Sequence, residues 1–257
     1  MKHVQVDIGF DYVLVLEWRA GADECTGTQL HQFLPSIGCD SALVVCHSWS
    51  DVGQALATAA SLVPTKGVPV IHLEILGSDA SVGSAENMGL GPDEISAVAW
   101  TRLGALLAPL NVASDFRLLV TSAACWGSGV MASIGSGEHP APFACAVGFR
   151  TPVTQARLRA CMMELYRLLK TDLNLTQAVA GAQRELAEGQ ELRLEIAVAL
   201  AAKMLHQIYF NPVSESTGGV GPHRRRRRAR GTWNTWFPPY LQERNATYRF
   251  DNVKIDR

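Results

Sequence analysis

Five short runs of apolar and β-branched residues recur along the chain with helix-forming segments between them, and this alternation restricts the fold more than any other feature. The runs are Tyr12–Trp18 (YVLVLEW), Ser41–Cys46 (SALVVC), Val68–Leu76 (VPVIHLEIL), Phe116–Ala123 (FRLLVTSA) and Phe143–Phe149 (FACAVGF). Each is short, apolar almost throughout and bounded by turn residues, the pattern of a strand buried on both faces. Between them, Thr26–Phe33, Ser50–Leu62, Ser96–Leu107 and Thr154–Leu169 carry helical spacing, and Ser50-Asp51 reads as a helix N-cap. Thr176–Glu188 and Glu191–Tyr209 read as two further helices, the second with Leu192, Ile196, Leu200 and Leu205 near one stripe. Strand and helix in alternation predict an α/β three-layer sandwich, a mostly parallel central sheet flanked by helices.

The chain is 257 residues long, 47% hydrophobic and 18% charged, enough for a sizeable core and unlike a disordered tail or a fibre. Its net charge of −1 conceals a split. Residues 221–257 hold ten Lys/Arg against three Asp/Glu, net +7, so residues 1–220 hold thirteen against twenty-one, net −8. Three segments are therefore expected: a body over 1–211, a Gly/Ser-rich linker over 212–222, and an Arg-rich, aromatic tail over 223–257. The run Arg224–Arg228 with Arg230 suits an anionic partner, either nucleic acid, an anionic lipid surface or the acidic body itself. Trp233, Trp236, Phe237, Tyr240 and Tyr248 make the tail too aromatic to stay fully solvated, so it is expected to dock.

Six cysteines, none spaced C-x-x-C, are too sparse for a disulfide framework and are expected to be reduced thiols. Asp7 and Asp11 interrupt the region where a signal peptide would need an apolar core, and no uncharged apolar stretch reaches 18 residues. A cytoplasmic protein without a membrane span is expected, and the sequons at Asn174 and Asn245 are then accidental. No Walker loop, HExxH, paired Cys/His site or dinucleotide fingerprint occurs, so neither a cofactor nor a metal is expected.

Functional groups of an open α/β sheet collect at the carboxyl ends of its strands. There the run Phe116–Ala123 leads into Ala124-Cys125-Trp126-Gly127-Ser128-Gly129, a thiol at a strand-to-loop junction followed by small residues that leave backbone N–H groups accessible. Such a setting suits a nucleophilic thiolate beside an oxyanion hole, and equally a buried thiol that packs as a small hydrophobe. A thiolate needs a base, and about 50 residues upstream stand His72, Glu74, Leu76 and Gly77.

With VLVLEW and the following Thr26-Gly27-Thr28-Gln29-Leu30, the strand VIHLEILG, Ala99-Trp100 through Leu110-Asn111, LLVTSAACWG, Pro140–Phe149 and the Leu165-Tyr166 helix, the chain over Tyr12–Asn211 resembles bacterial caspase-like, CHAT-type cysteine peptidases. Similar bacterial proteins read H-x-E-x-H-G where this chain reads His72-Leu-Glu74-Ile-Leu76-Gly77. The resemblance implies a caspase-like fold, Cys125 as the nucleophile, Gly77 as the glycine of the His-Gly pair, and Leu76 at the position of the dyad histidine. It also aligns W-x-x-W-F-P-P-Y-L-x-x-R-N in the tail with a C-terminal element of some bacterial caspase-like proteins, and it puts the Ser41–Cys46 strand, with His47 after it, at the outside of the sheet.

Leucine neither accepts nor donates a proton, and loss of a general base typically costs about 10²–10⁴-fold. His72 is the alternative imidazole, but it precedes position 76 by four residues, about 13 Å deeper along a strand at about 3.3 Å per residue. A core role for His72 and Glu74 is expected. Arg19, Asp23 and Glu24 near the first strand end offer both charge signs, so no specificity pocket follows. The expected function is a degenerate cysteine peptidase that keeps Cys125, lacks the partner histidine, and acts as an interaction or regulatory protein in bacterial defence or signalling. The alternatives are an active cysteine endopeptidase using Cys125 with His72 or another base on a peptide substrate, and a nucleic-acid-binding protein acting through Arg224–Arg230.

Overall fold

The computed structural model describes residues 2–7, 10–18, 26–75, 81–83, 97–125, 127–130, 141–171, 174–196 and 248–254. In chain order the elements are β1 (Lys2–Asp7), β2 (Tyr12–Trp18), α1 (Thr26–Phe33), β3 (Asp40–Cys46), α2 (Trp49–Lys66), β4 (Pro69–Glu74), β5 (Ser81–Gly83) and β6 (Ala97–Ala99). They continue with α3 (Trp100–Ala113), β7 (Leu119–Ser122), β8 (Cys145–Phe149), α4 (Gln155–Leu169), α5 (Leu175–Ala182), β9 (Leu192–Ile196) and β10 (Tyr248–Lys254).

Six strands form one sheet in the order β3-β2-β4-β7-β8-β9. The first five are mutually parallel, and β9 runs antiparallel to β8. Successive side chains of a strand point to opposite faces, so each strand feeds two cores. Leu14, Leu16, Ile71, Leu73 and Val120 pack on one face under Val52 and Leu56 of α2 and Leu103 and Leu107 of α3. Val13, Val15, Val70, Leu119 and Val147 pack on the other face under Leu30 of α1, Leu158 and Leu165 of α4, and Leu175 of α5. Helices cover both faces, and the architecture is the α/β three-layer sandwich that the alternation of runs predicts.

β2 and α1 occupy the predicted residues, while other boundaries moved for local reasons. The cap of α2 is Ser48, not Ser50: its side chain accepts the Asp51 N–H, and the Asp51 carboxylate accepts the Ser48 N–H in return, a reciprocal capping box. α2 ends at Gly67, whose φ of 84° brings a hypothetical Cβ within 2.0 Å of Asp11 Oδ2. That close approach lets Asp11 accept the Val68 N–H at 2.7 Å and fixes the start of β4. α3 runs past Pro109 to Ala113, where buried Asn111 donates to the Ala141 carbonyl at 2.7 Å and accepts the Leu118 N–H at 3.1 Å. The helical segment expected over Thr176–Glu188 is α5 followed by a 3₁₀ turn at Gln183–Glu185.

The helix expected over Glu191–Tyr209 is not formed at its start. Leu192–Ile196 (LRLEI) is the strand β9, paired with β8 from Phe149↔Leu192 to Cys145↔Ile196. Its apolar and charged residues alternate with period 2, and the open edge of β8 rewards that pattern over a helical stripe; the remainder of the segment lies outside the described residues. β1, β5, β6 and β10 complete the set: β5 pairs antiparallel with β6, and β10, from the tail, pairs in parallel with β1 at the other end of the chain. The linker, Arg224–Arg230 and the tail aromatics other than Tyr248 and Phe250 lie outside the described residues. Among the described residues no helix is long and apolar enough to cross a membrane.

Candidate functional site

β7 ends at Ser122, and Cys125 follows in a turn that closes when the Gly127 N–H donates to the Ala124 carbonyl at 2.9 Å. Residues 127–130 then form a short 3₁₀ segment. It presses on the sheet so closely that a Cβ on Gly148 of β8 would lie 2.6 Å from the Gly127 carbonyl carbon, and one on Gly127 would lie 2.7 Å from the Ser122 carbonyl oxygen. Glycine at both positions therefore sets how low the Cys125 turn sits. Cys125 is half-buried, and its thiol donates to the Val153 carbonyl at 3.8 Å. Among the described residues no imidazole is hydrogen-bonded to it.

His72 sits at the level of Thr121, four residues before Cys125. It is fully buried on β4, on the face covered by α4, and its Cα pairs with that of Thr121 on β7. Nδ1 lies 2.9 Å from Thr121 Oγ1 and 3.2 Å from the Tyr166 hydroxyl, and these two hydroxyls are 2.7 Å apart. Nε2 lies 3.0 Å from Glu74 Oε2. With Glu74 ionised, Nε2 carries the ring hydrogen and donates to it, leaving Nδ1 to accept a hydroxyl hydrogen. Burial pushes the Tyr166 phenol far above its usual range, so it remains an O–H donor. Both ring nitrogens are thus engaged in the core, four residues short of the strand level of Cys125.

The network continues to α1. Thr26 donates its hydroxyl to Glu74, and Glu17 Oε2 accepts the Thr28 N–H at 2.5 Å and the Thr28 hydroxyl at 3.0 Å. Glu17 and Glu74 are Cα partners across β2 and β4, at the point where the chain leaves the sheet in opposite directions, toward β3 from β2 and toward β7 from β4. A crevice at the carboxyl ends of such neighbouring strands is the usual ligand position in open α/β sheets. Here the first turn of α1 fills it, and a Cβ on Gly27 would lie 2.8 Å from Glu17 Oε2.

Of the residues singled out from sequence, the structure describes Cys125, His72, Glu74, Gly127 and His47, and it gathers His72 with Glu74 but not with Cys125. Leu76, Gly77, Arg19, Asp23 and Glu24 lie outside the described residues. His47 is exposed beyond β3, the outer strand of the sheet. Sequence reasoning missed Glu17, Thr121 and Tyr166. Glu17 was detectable as the lone charge in an apolar strand; Tyr166 and Thr121 carry no such mark, because only the packing of α4 on the sheet brings them to His72. Among the described residues no group of three or more His, Cys, Asp or Glu side chains is placed to hold a metal ion. No protein-family model matches the chain, and no curated protein matches it.

Proposed function

We propose that the chain is a degenerate cysteine peptidase of the caspase-like, CHAT type, which keeps the nucleophile position at Cys125, lacks the partner histidine at Leu76, and works in the cytoplasm as an interaction or regulatory protein in bacterial defence or signalling. The observation that carries this reading is the engagement of His72. The imidazole nearest in sequence to the missing base is occupied on both nitrogens by Thr121, Tyr166 and Glu74, so it has no free lone pair for a thiol. Further support comes from the position of Cys125 just past the carboxyl end of a central strand, from the outer placement of β3, and from the sequence segments that resemble the family. Without a base, acyl transfer loses the roughly 10²–10⁴-fold that proton transfer supplies.

The test is incubation of the purified chain with a cysteine-directed peptidase probe and a peptide library, alongside Cys125→Ala and Leu76→His. The expected result is no cleavage by the native chain and a gain of cleavage in Leu76→His. Cleavage by the native chain that Cys125→Ala abolishes would overturn the reading in favour of an active endopeptidase. Oligonucleotide binding that weakens steeply with salt, and is lost when Arg224–Arg228 are neutralised, would favour a nucleic-acid-binding role instead.

A further inference from the structure

Among the described residues β3 is the outer strand on one side of the sheet, and a groove of about 860 Å³ runs along it between β3 and α2. Leu14 and Val44 of the sheet form an apolar floor, and the α2 wall carries only small side chains at Ala55, Thr58 and Ala59, with Leu62 beyond them. Asp11, which precedes β2, and Asp40, which begins β3, stand at one end with Lys66 opposite at the end of α2, and Asp51 in the first turn of α2 lines the other end.

Asp40–Cys46 holds no lysine and no proline, among the described residues it pairs in the sheet with β2 alone, Ala42 is exposed, and Leu43, Val44 and Val45 are only half-buried. An edge strand of this kind offers a row of backbone N–H and C=O groups to an added strand, with side-chain pockets that set specificity.

We propose that β3 and its groove take an extended peptide from a partner protein as an added strand, apolar in its centre and basic at the end that meets Asp11 and Asp40. Main-chain pairing with β3 supplies sequence-tolerant affinity, apolar side chains on one face of the peptide enter the groove over Val44 and Ala59, and the carboxylates select a cationic end. The site does not depend on the peptidase reading, since β2 and β4 separate β3 from β7 and Cys125.

The experiment is fluorescence anisotropy of the full chain with a labelled nonapeptide of alternating Thr and Val ending in two arginines, against the same peptide ending in two glutamates. Asp40 and Thr58 are exposed, so Asp40→Lys and Thr58→Trp should retain the circular dichroism and melting profile of the parent. Expected are saturable binding of the arginine peptide, a loss on the order of tenfold in Asp40→Lys that shrinks in high salt, and no binding in Thr58→Trp. Equal binding of the glutamate peptide, unchanged affinity in both variants, or no saturable binding would overturn the proposal. So would binding seen only after Arg224–Arg228 are changed to serine, which would make the chain's own basic segment the occupant, or self-association abolished by Asp40→Lys without peptide binding, which would make it a second copy.

Discussion

His72 and Thr121 face each other as Cα partners across β4 and β7, with Nδ1 2.9 Å from the threonine Oγ1, and Tyr166 of α4 closes the triangle with its hydroxyl 2.7 Å from the same oxygen. One buried imidazole therefore ties two central strands to a covering helix, and through Glu74 and Thr26 it reaches α1 as well. In a low-dielectric interior such a network is stabilising only while each member is satisfied.

Removing one member should be costly in stability. His72→Ala removes one of the partners of Tyr166 and of Glu74, which keep Thr121 and Thr26 respectively, and a loss of about 1–3 kcal/mol is expected for the broken buried network, read as a lower urea midpoint with unchanged slope. Tyr166→Phe should cost about 1–2 kcal/mol. Midpoints equal to the parent's would show that the network is not intact in solution.

The capping box makes a sharper distinction between neighbours. Ser48→Ala should destabilise the chain by about 0.5–2 kcal/mol, because an orphan N–H of α2 loses its acceptor. Ser50→Ala, at an exposed position inside the first turn, should stay within about 0.5 kcal/mol. Thermal or urea unfolding of the two variants side by side decides the matter, and a larger effect at Ser50 would place the cap where the sequence pattern did.

Thiol reactivity should single out Cys125 among Cys39, Cys46, Cys125, Cys145 and Cys161. The other four are buried, and burial pushes Cys46 up to about 11 and Cys161 up to about 12, with Cys39 also raised and Cys145 raised furthest. Brief alkylation at pH 8 followed by mass spectrometry should modify Cys125 before any of these four. Comparable labelling of Cys145 would contradict the packing of β8.

Those raised thiols also set a pH dependence. Unfolded thiols ionise near about 8.5, whereas Cys46 and Cys161 in the fold hold their protons to about 11 and about 12. The folded state then binds more protons above pH 8.5, so this stability is fully present below that value and declines as pH rises. The slope approaches about 1.4 kcal/mol per pH unit for each thiol. Urea midpoints measured from pH 7.5 to 10.5 should fall, and less steeply in Cys145→Ala; a flat profile would count against buried, protonated thiols.

Gly148→Ala tests the seating of the Cys125 turn. The added methyl would lie 2.6 Å from the Gly127 carbonyl carbon, so the turn must lift. Overpacking of this kind typically costs about 1–3 kcal/mol, and the alkylation rate of Cys125 should change with it. A variant with parental stability and an unaltered Cys125 rate would show that the turn does not rest on β8.

The five parallel strands of the main sheet were legible because they write themselves into the sequence as continuous apolar runs, and three helices between them and a fourth after the last followed from periodicity and from connection rules. Their ends were less legible. Ser48 and Ser50 are chemically alike, and the helix expected to end at Leu107 continues to Ala113, where Asn111 binds Ala141 and Leu118. Those choices depend on partners distant in sequence.

By itself the sequence determined the layered α/β class, the acidic body with its basic tail, and the placement of Cys125 at the end of a strand, because each follows from local composition and period. Only the tertiary structure decided that LRLEI is an edge strand, that Thr121 and Tyr166 join His72 and Glu74 in one buried network, that Glu17 holds Thr28 of α1 beside it, and that His72 is bound up within that network. Hydrogen-bond satisfaction in a core is a property of neighbours brought together by the fold, and no spacing along the chain encodes it.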